Sequence, residues 1–343
     1  MREMKKKLLM VRDYRDSGVI ISFVILRFIA TCLITNSHYD NVYPTHVIAV
    51  GGLLGNVLFF VVSGFGLARP TKQGFLLWYA KRIIRIYPTI IFGVAFYLLV
   101  GYQGIENFNV FQVFVFPTFF AFTAAISILY IPFYFVNKIE NKKTYINTVI
   151  LFLIIWLLVY FFVLDKSTYE MSNTKNPMIG FLYFFSMMIG GYIRRFAIKK
   201  CGKIQMLLCM TVSCLFMVMY FFLTKIIRGN ERFFSIQITV QIALIISVFF
   251  GVLMIYHMEG WLKKLPDWVL FAINFISAFT LEIYVIQNPI INFLCDIIFP
   301  INWILITATI FIGAVFTHVF INFTITSILM FTKKIKEAML NKI

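Results

Sequence analysis

The chain has 343 residues, is 61% hydrophobic and 13% charged, and carries 41 phenylalanines, a balance that no soluble core could bury. Its formal net charge of +17 sits in short clusters between apolar runs, the signature of inner membrane loops, so the basic partner is a bilayer and not nucleic acid. Cys32, Cys201, Cys209, Cys214 and Cys295 show no CxxC or Cys/His spacing, which excludes a disulfide framework and gives no metal site.

Residues 1–18 hold Arg2, Lys5, Lys6, Lys7, Arg12 and Arg15 and read as a cytoplasmic basic tail. The apolar run 20–38 follows. It is too long for a signal-peptide core and lacks a small-residue cleavage site, so it is expected to be an uncleaved first span. Within it stand Arg27 and His38, eleven residues apart. At about 100° per residue they return to nearly the same helical face, separated by about 16 Å along the axis, with Thr31 and Thr35 between them. A lipid-facing Arg at mid-bilayer costs about 3 kcal/mol or more, so this stripe is expected to face a bundle interior or an aqueous cavity.

The connection 39–45 contains Asp40, Asn41 and Pro44 but no Lys or Arg, as expected of a translocated loop, and His46 opens the next span. The second span, 47–67, carries Gly51 and Gly55 at a small-xxx-small spacing that allows close backbone approach, and Ser63 near its end. A cytoplasmic segment, 68–85, brings Arg69, Lys72, Lys81, Arg82 and Arg85. If it is helical, Arg82 and Arg85 share a face and can offer bidentate donors to phosphate oxygens; the plainer reading is that they fix topology.

Further spans are expected at 86–101, 111–135, 145–164, 177–193, 204–223, 233–256, 269–294 and 303–331. On this frame only Lys166, Lys175, Lys225, Arg228 and Arg232 face outward, and a basic tail at 332–343 carries Lys333, Lys334 and Lys336. The sequence therefore predicts an all-α polytopic bundle of about ten transmembrane helices in the cell membrane. Both termini are cytoplasmic, and residues 19–331 form one domain. In the ninth span Ser277, Thr280, Glu282, Tyr284, Gln287 and Asn288 interrupt the apolar pattern. Glu282 is the one acidic residue deep in a span, and Arg27 at similar depth is its expected partner. His46, His257 and His318 are expected to be structural or interfacial.

These residues resemble the acyltransferase-3 family of integral-membrane O-acyltransferases. The family's first span has an Arg, ten residues and a His, as in LRFIATCLITNSH around Arg27 and His38. The second ends in FF-x-x-SGF, here Phe59 to Phe65, followed by KRxxRIYP, here Lys81 to Pro88. MIGGYIRR, ending at Arg195, and SAFTLEIYVIQNP, starting at Ser277, resemble two later spans. The likeness runs over about residues 15–331. Where many members carry a His in the late span this chain has Gln287, and where many have a Glu in the fourth span it offers Thr123, Ser127 and tyrosines. No soluble carboxy-terminal domain follows, so a stand-alone transferase is expected.

The resemblance implies transfer of an acyl group, most simply acetyl, from cytoplasmic acyl-CoA to a hydroxyl of a surface or exported glycan or lipid-linked glycan, with no bound cofactor. Lys81, Arg82 and Arg85 would hold the nucleotide, the pantetheine arm would pass Arg27, and His38 would act as general base. Ser63, Glu282 and Tyr284 are the supporting or cavity residues, and Asp40, two residues from His38, reads first as a solvated loop acid, with orientation of His38 as the alternative. The other class that an intramembrane Arg and Glu allow is a transporter or flippase for a glycan, lipid or organic anion, with His38 as proton relay.

Overall fold

A computed structural model describes residues 18–69, 72–104, 109, 111, 113, 119–173, 176–197 and 202–340, with side chains to 325 and at 327. Outside these residues lie the basic groups of the amino-terminal tail, Lys175, Cys201, the side chains of Lys333, Lys334 and Lys336, and most of 105–118, where the fourth expected span begins. Among the described residues every regular element is helical. The helices are α1 (Ile21–Ser37), α2 (Gly52–Leu67), α3 (Phe75–Leu99), α4 (Ala121–Asn137), α5 (Lys142–Phe162) and α6 (Pro177–Phe196). They continue with α7 (Lys203–Arg228), α8 (Ile238–His257), the one-turn α9 (Glu259–Leu262), α10 (Asp267–Ala278), α11 (Thr280–Leu294) and α12 (Ile301–Leu340).

Six segments are long and apolar enough to cross a membrane: His46–Leu67, Phe75–Leu99, Lys142–Phe162, Lys203–Arg228, Ile238–His257 and Ile301–Ile325. The pair α10 and α11 makes a seventh if it counts as one bent span. The expected ten thus becomes six or seven by length and composition among the described residues. α1 and α4 have 17 residues each, about 26 Å of helix against a hydrocarbon core of about 30 Å. Outward-facing apolar side chains, such as Ile150, Ile154 and Phe161 on α5 and Leu208, Leu215 and Phe222 on α7, give those helices the surface of lipid-facing elements. The protein is a multi-pass membrane protein.

Two expected boundaries moved. The basic segment and the third span are one continuous helix, α3, which runs through Pro88. The ninth expected span is broken at Phe279 by a 69° bend between α10 and α11. The bend has a local cause. The hydroxyls of Ser277 and Thr280 bond the carbonyls of Asn274 and Ser277, and Phe279 N bonds Ile276 O, so the turn closes on carbonyls three residues back instead of four.

The amino terminus of α1 has no capping side chain of its own. Glu259 of α9 caps it from outside, accepting from Ile21 N at 3.0 Å and Ser22 N at 2.8 Å. Gly51 serves as a left-handed N-cap of α2, with φ +103°, and both it and Gly55 lie close on α1: a Cβ on Gly51 would stand 2.8 Å from Leu33 Cδ2, and one on Gly55 3.0 Å from Ala30 O. The tightest crossing is between α2 and α6. A Cβ on Gly64 would strike the backbone of Met187, and one on Gly190 would strike the carbonyl of Val61.

Candidate active site: an arginine cavity beneath His38

One face of the apolar α1, that of Arg27, Thr31 and Thr35, lines two successive spaces. The first, a cavity of about 180 Å³, is bounded by Ile20, Phe23, Val24 and Arg27 of α1, by Val62, Phe65, Gly66 and Arg69 at the end of α2, by Arg194 of α6, and by Asn274 and Ser277 of α10. Among the described residues three guanidiniums border it and no carboxylate does. Arg85 is close enough for its charge to act on Arg27, as Arg69 acts on Arg194. Like charges gathered around a void repel one another, and an anion in the void relieves that repulsion, so the cavity is built for phosphate or carboxylate.

The second space lies farther along α1, between Thr31, Ile34 and Thr35 on one side and Thr280, Tyr284 and Gln287 of α11 on the other, with Phe59 and Phe122 closing it. Its free volume is only about 10 Å³. Thr31 Oγ1 and Thr280 Oγ1 are 2.9 Å apart, joining α1 to α11 beside the bend at Phe279. Both spaces are therefore formed by the same partners, α1 and the bent pair, and the bend lies between them. His38 caps the end of α1 and is exposed, with no side-chain partner among the described residues.

A family model described as an acyltransferase domain, that of acyltransferase-3, matches residues 20–325. The chain belongs to the acyltransferase-3 family. No curated protein and no solved structure matches it. Its activity class, acyl transfer at a membrane, follows from the family, and the matched residues include both spaces and His38.

Within this acyltransferase the residues expected from the sequence part company. Arg27 reaches the arginine cavity. Arg82 does not: its guanidinium stacks on Trp78 at 3.6 Å and donates to Trp78 O at 2.6 Å, so helicity puts it back on its own helix. Lys81 is exposed, and Arg85 is exposed within reach of Arg27. Ser63 is half-buried and borders neither space, while Tyr284 borders the upper one and its hydroxyl accepts from Phe122 N at 3.2 Å. Asp40 is taken by exposed His46, with Nδ1 to Oδ1 2.8 Å, and so does not orient His38.

Glu282 overturns the expected Arg27 pair. Its Oε1 lies 2.8 Å from Nδ1 of His318 on α12, and the imidazole stands edge-on to Phe279 with ring centroids 4.9 Å apart. The helical period explains the choice. Thr280, Tyr284 and Gln287 turn toward α1, whereas Glu282 falls on the strip with Ile286 and Ile290, whose side chains approach Gly313 of α12. His318 is thus a hydrogen-bond partner of Glu282 within the bundle. Among the described residues no carboxylate contacts Arg27.

The sequence alone gave no site role to Arg69 or Arg194. In the MIGGYIRR run the two arginines separate by 100° around α6. Arg194 turns to the cavity and stacks over Phe65 at 4.8 Å, while Arg195 donates to the carbonyls of Asn137 and Ile139 at the end of α4. Both sit in the last turn of a glycine-rich helix, but which of the two faces inward depends on how α6 crosses α2.

Proposed function

We propose that the protein transfers an acyl group, acetyl in the simplest case, from cytoplasmic acyl-CoA to a hydroxyl of a surface or exported glycan. The observation that carries this reading is the order of groups along one face of α1: arginines at its start, a narrow neck at Thr31 and Thr35, and His38 at its end. The anionic end of acyl-CoA would lie against Arg27, Arg69 and Arg194, with Arg85 beside Arg27. Its pantetheine arm would run through the neck, where about 16 Å separates Arg27 from His38.

At His38 the imidazole takes the proton of the acceptor hydroxyl. The oxygen attacks the thioester carbonyl, the carbon–sulfur bond breaks, and CoA leaves as a thiolate that recovers a proton. Base catalysis of this kind contributes about 10²- to 10⁴-fold. The reading places α1 across the membrane with its arginine end at the cytoplasm and both chain termini inside. α1, α4 and α6 then cross with the six long segments and the bent pair to make ten, in the plasma or inner membrane.

The test is release of free CoA from acetyl-CoA by the purified protein in nanodiscs, with and without a hydroxylated glycan. Wild-type release that rises with acceptor and falls about 10²-fold or more in His38→Ala supports the reading. Release that is indifferent to His38 removes the base. Movement of a glycan or lipid across the bilayer without CoA release replaces the reading with transport.

A further inference from the structure

We propose that Gln287 binds an amide of the donor's pantetheine arm and so sets the thioester at His38. The inference rests on the acyl-CoA reading above and adds to it a recognition element inside the neck. Gln287 is fully buried, with 0% of its surface exposed, and among the described residues neither Nε2 nor Oε1 has a hydrogen-bond partner. About nine in ten buried polar atoms are bonded, so two orphans on one carboxamide point to a ligand that the described residues do not supply.

The surroundings narrow what that ligand is. Most of the other polar groups of the neck have partners within the chain: Thr31 Oγ1 donates to Arg27 O and lies 2.9 Å from Thr280 Oγ1, which donates to Ser277 O, and Tyr284 OH accepts from Phe122 N; the hydroxyl of Thr35 is the remaining polar group of the lining. The remaining wall is apolar, from Ile34, Phe59 and Phe122. A carboxamide offers both donors and an acceptor, so its complement must do the same. A thioester carbonyl only accepts. A secondary amide offers one N–H and one C=O, and the pantetheine arm carries two of them. Free space of about 10 Å³ admits a group about the size of a water, which suits a thin chain threaded through and excludes a nucleotide.

Position agrees with chemistry. Thr35 lies three residues before His38, a rise of about 4.5 Å. In a CoA thioester the nearer amide nitrogen is two methylenes from sulfur, a comparable reach. With that amide held at Gln287, the thioester falls beside the imidazole.

The experiment compares three acetyl donors on the full-length protein in nanodiscs, with one acceptor: acetyl-CoA, S-acetyl-N-acetylcysteamine, which keeps the nearer amide, and ethyl thioacetate, which has none. Wild type is set against Gln287→Leu and Gln287→Met. For the two amide-bearing donors kcat/KM is expected to fall about tenfold or more in both variants, with ethyl thioacetate unchanged. Ratios between donors within one sample do not depend on the fraction folded. An equal loss on all three donors would make Gln287 a packing residue, and no loss on any would leave its carboxamide to a bound water; either overturns the proposal. Wild type that uses the cysteamine thioester no better than ethyl thioacetate overturns it without any variant. A wild type that turns over no donor overturns the acyl-transfer reading itself.

Discussion

Two adjacent arginines on α6 show how a single residue step separates binding from scaffolding. Arg194 borders the cavity, whereas Arg195 is spent on the carbonyls that end α4. Arg194→Ala, and likewise Arg69→Ala, is expected to raise KM for acyl-CoA about tenfold with kcat kept, the size of one lost charge-assisted hydrogen bond. Arg195→Ala should lower the unfolding midpoint and leave KM alone. Steady-state kinetics and a thermal melt on the same preparations check both, and equal KM values would remove the cavity as the donor site. The Glu282 and His318 pair sits on the other face of α11, and its side chains are only 10% and 17% exposed. Removing either partner breaks this hydrogen bond inside the bundle and should cost about 1–3 kcal/mol. The double variant should cost clearly less than the sum, measured by a double-mutant cycle in denaturant.

At the scale of elements, α1 and the bent pair form the neck, and α2 against α6 holds the arginine cavity at its width. The α2–α6 crossing depends on Gly64 and Gly190, each of which meets the other helix's backbone where no side chain could yield. Gly190→Ala is expected to push the helices apart and to cost about 2 kcal/mol or more, in the range of overpacked cores. Size-exclusion profiles and thermal melts would show this as early unfolding or aggregation, and a melt like that of the wild type would mean that the crossing is looser than described. The same movement would carry Arg69 and Arg194 apart, so loss of donor affinity should accompany loss of stability.

For the whole molecule, the loop between α5 and α6 ties the outer helices to α8. Gln237 accepts from Glu170 N at 2.8 Å and donates to Thr168 O, and Gln241 donates to Met171 O. Within that loop the amide of Asn173 holds the Glu170 carboxyl below its usual range, helped by Thr168 and Asn176; the backbone N–H and hydroxyl of Ser167 do the same for Asp165. A carboxyl whose folded pKa is depressed adds stability above its unfolded value, near 4.5 for Glu and 3.8 for Asp, and loses it as pH falls through the folded pKa. The thermal midpoint should therefore hold at neutral pH and start to fall below about pH 4.5. Glu170→Gln should flatten the first part of that fall. A wild-type profile matched by the double variant Asp165→Asn with Glu170→Gln would show that the loop contributes nothing to it.

The sequence by itself determined the class of the molecule, because apolar run length and charge placement are read residue by residue and need no partner. It also singled out Arg27 and His38, since one helical period on one apolar run fixes their shared face and their separation. What it could not reach depends on which face of one helix meets which face of another. Glu282 found His318 and not Arg27; Arg82 folded back onto Trp78; Arg194 turned inward and Arg195 did not. One expected span was divided for a related reason. Hydropathy does not register hydroxyls that capture backbone carbonyls, and at Ser277 and Thr280 that capture bends one expected span into two helices, one of which forms the wall opposite Thr31 and Thr35. The pairing of helices is a global minimum over many faces at once, and only the tertiary structure decided it.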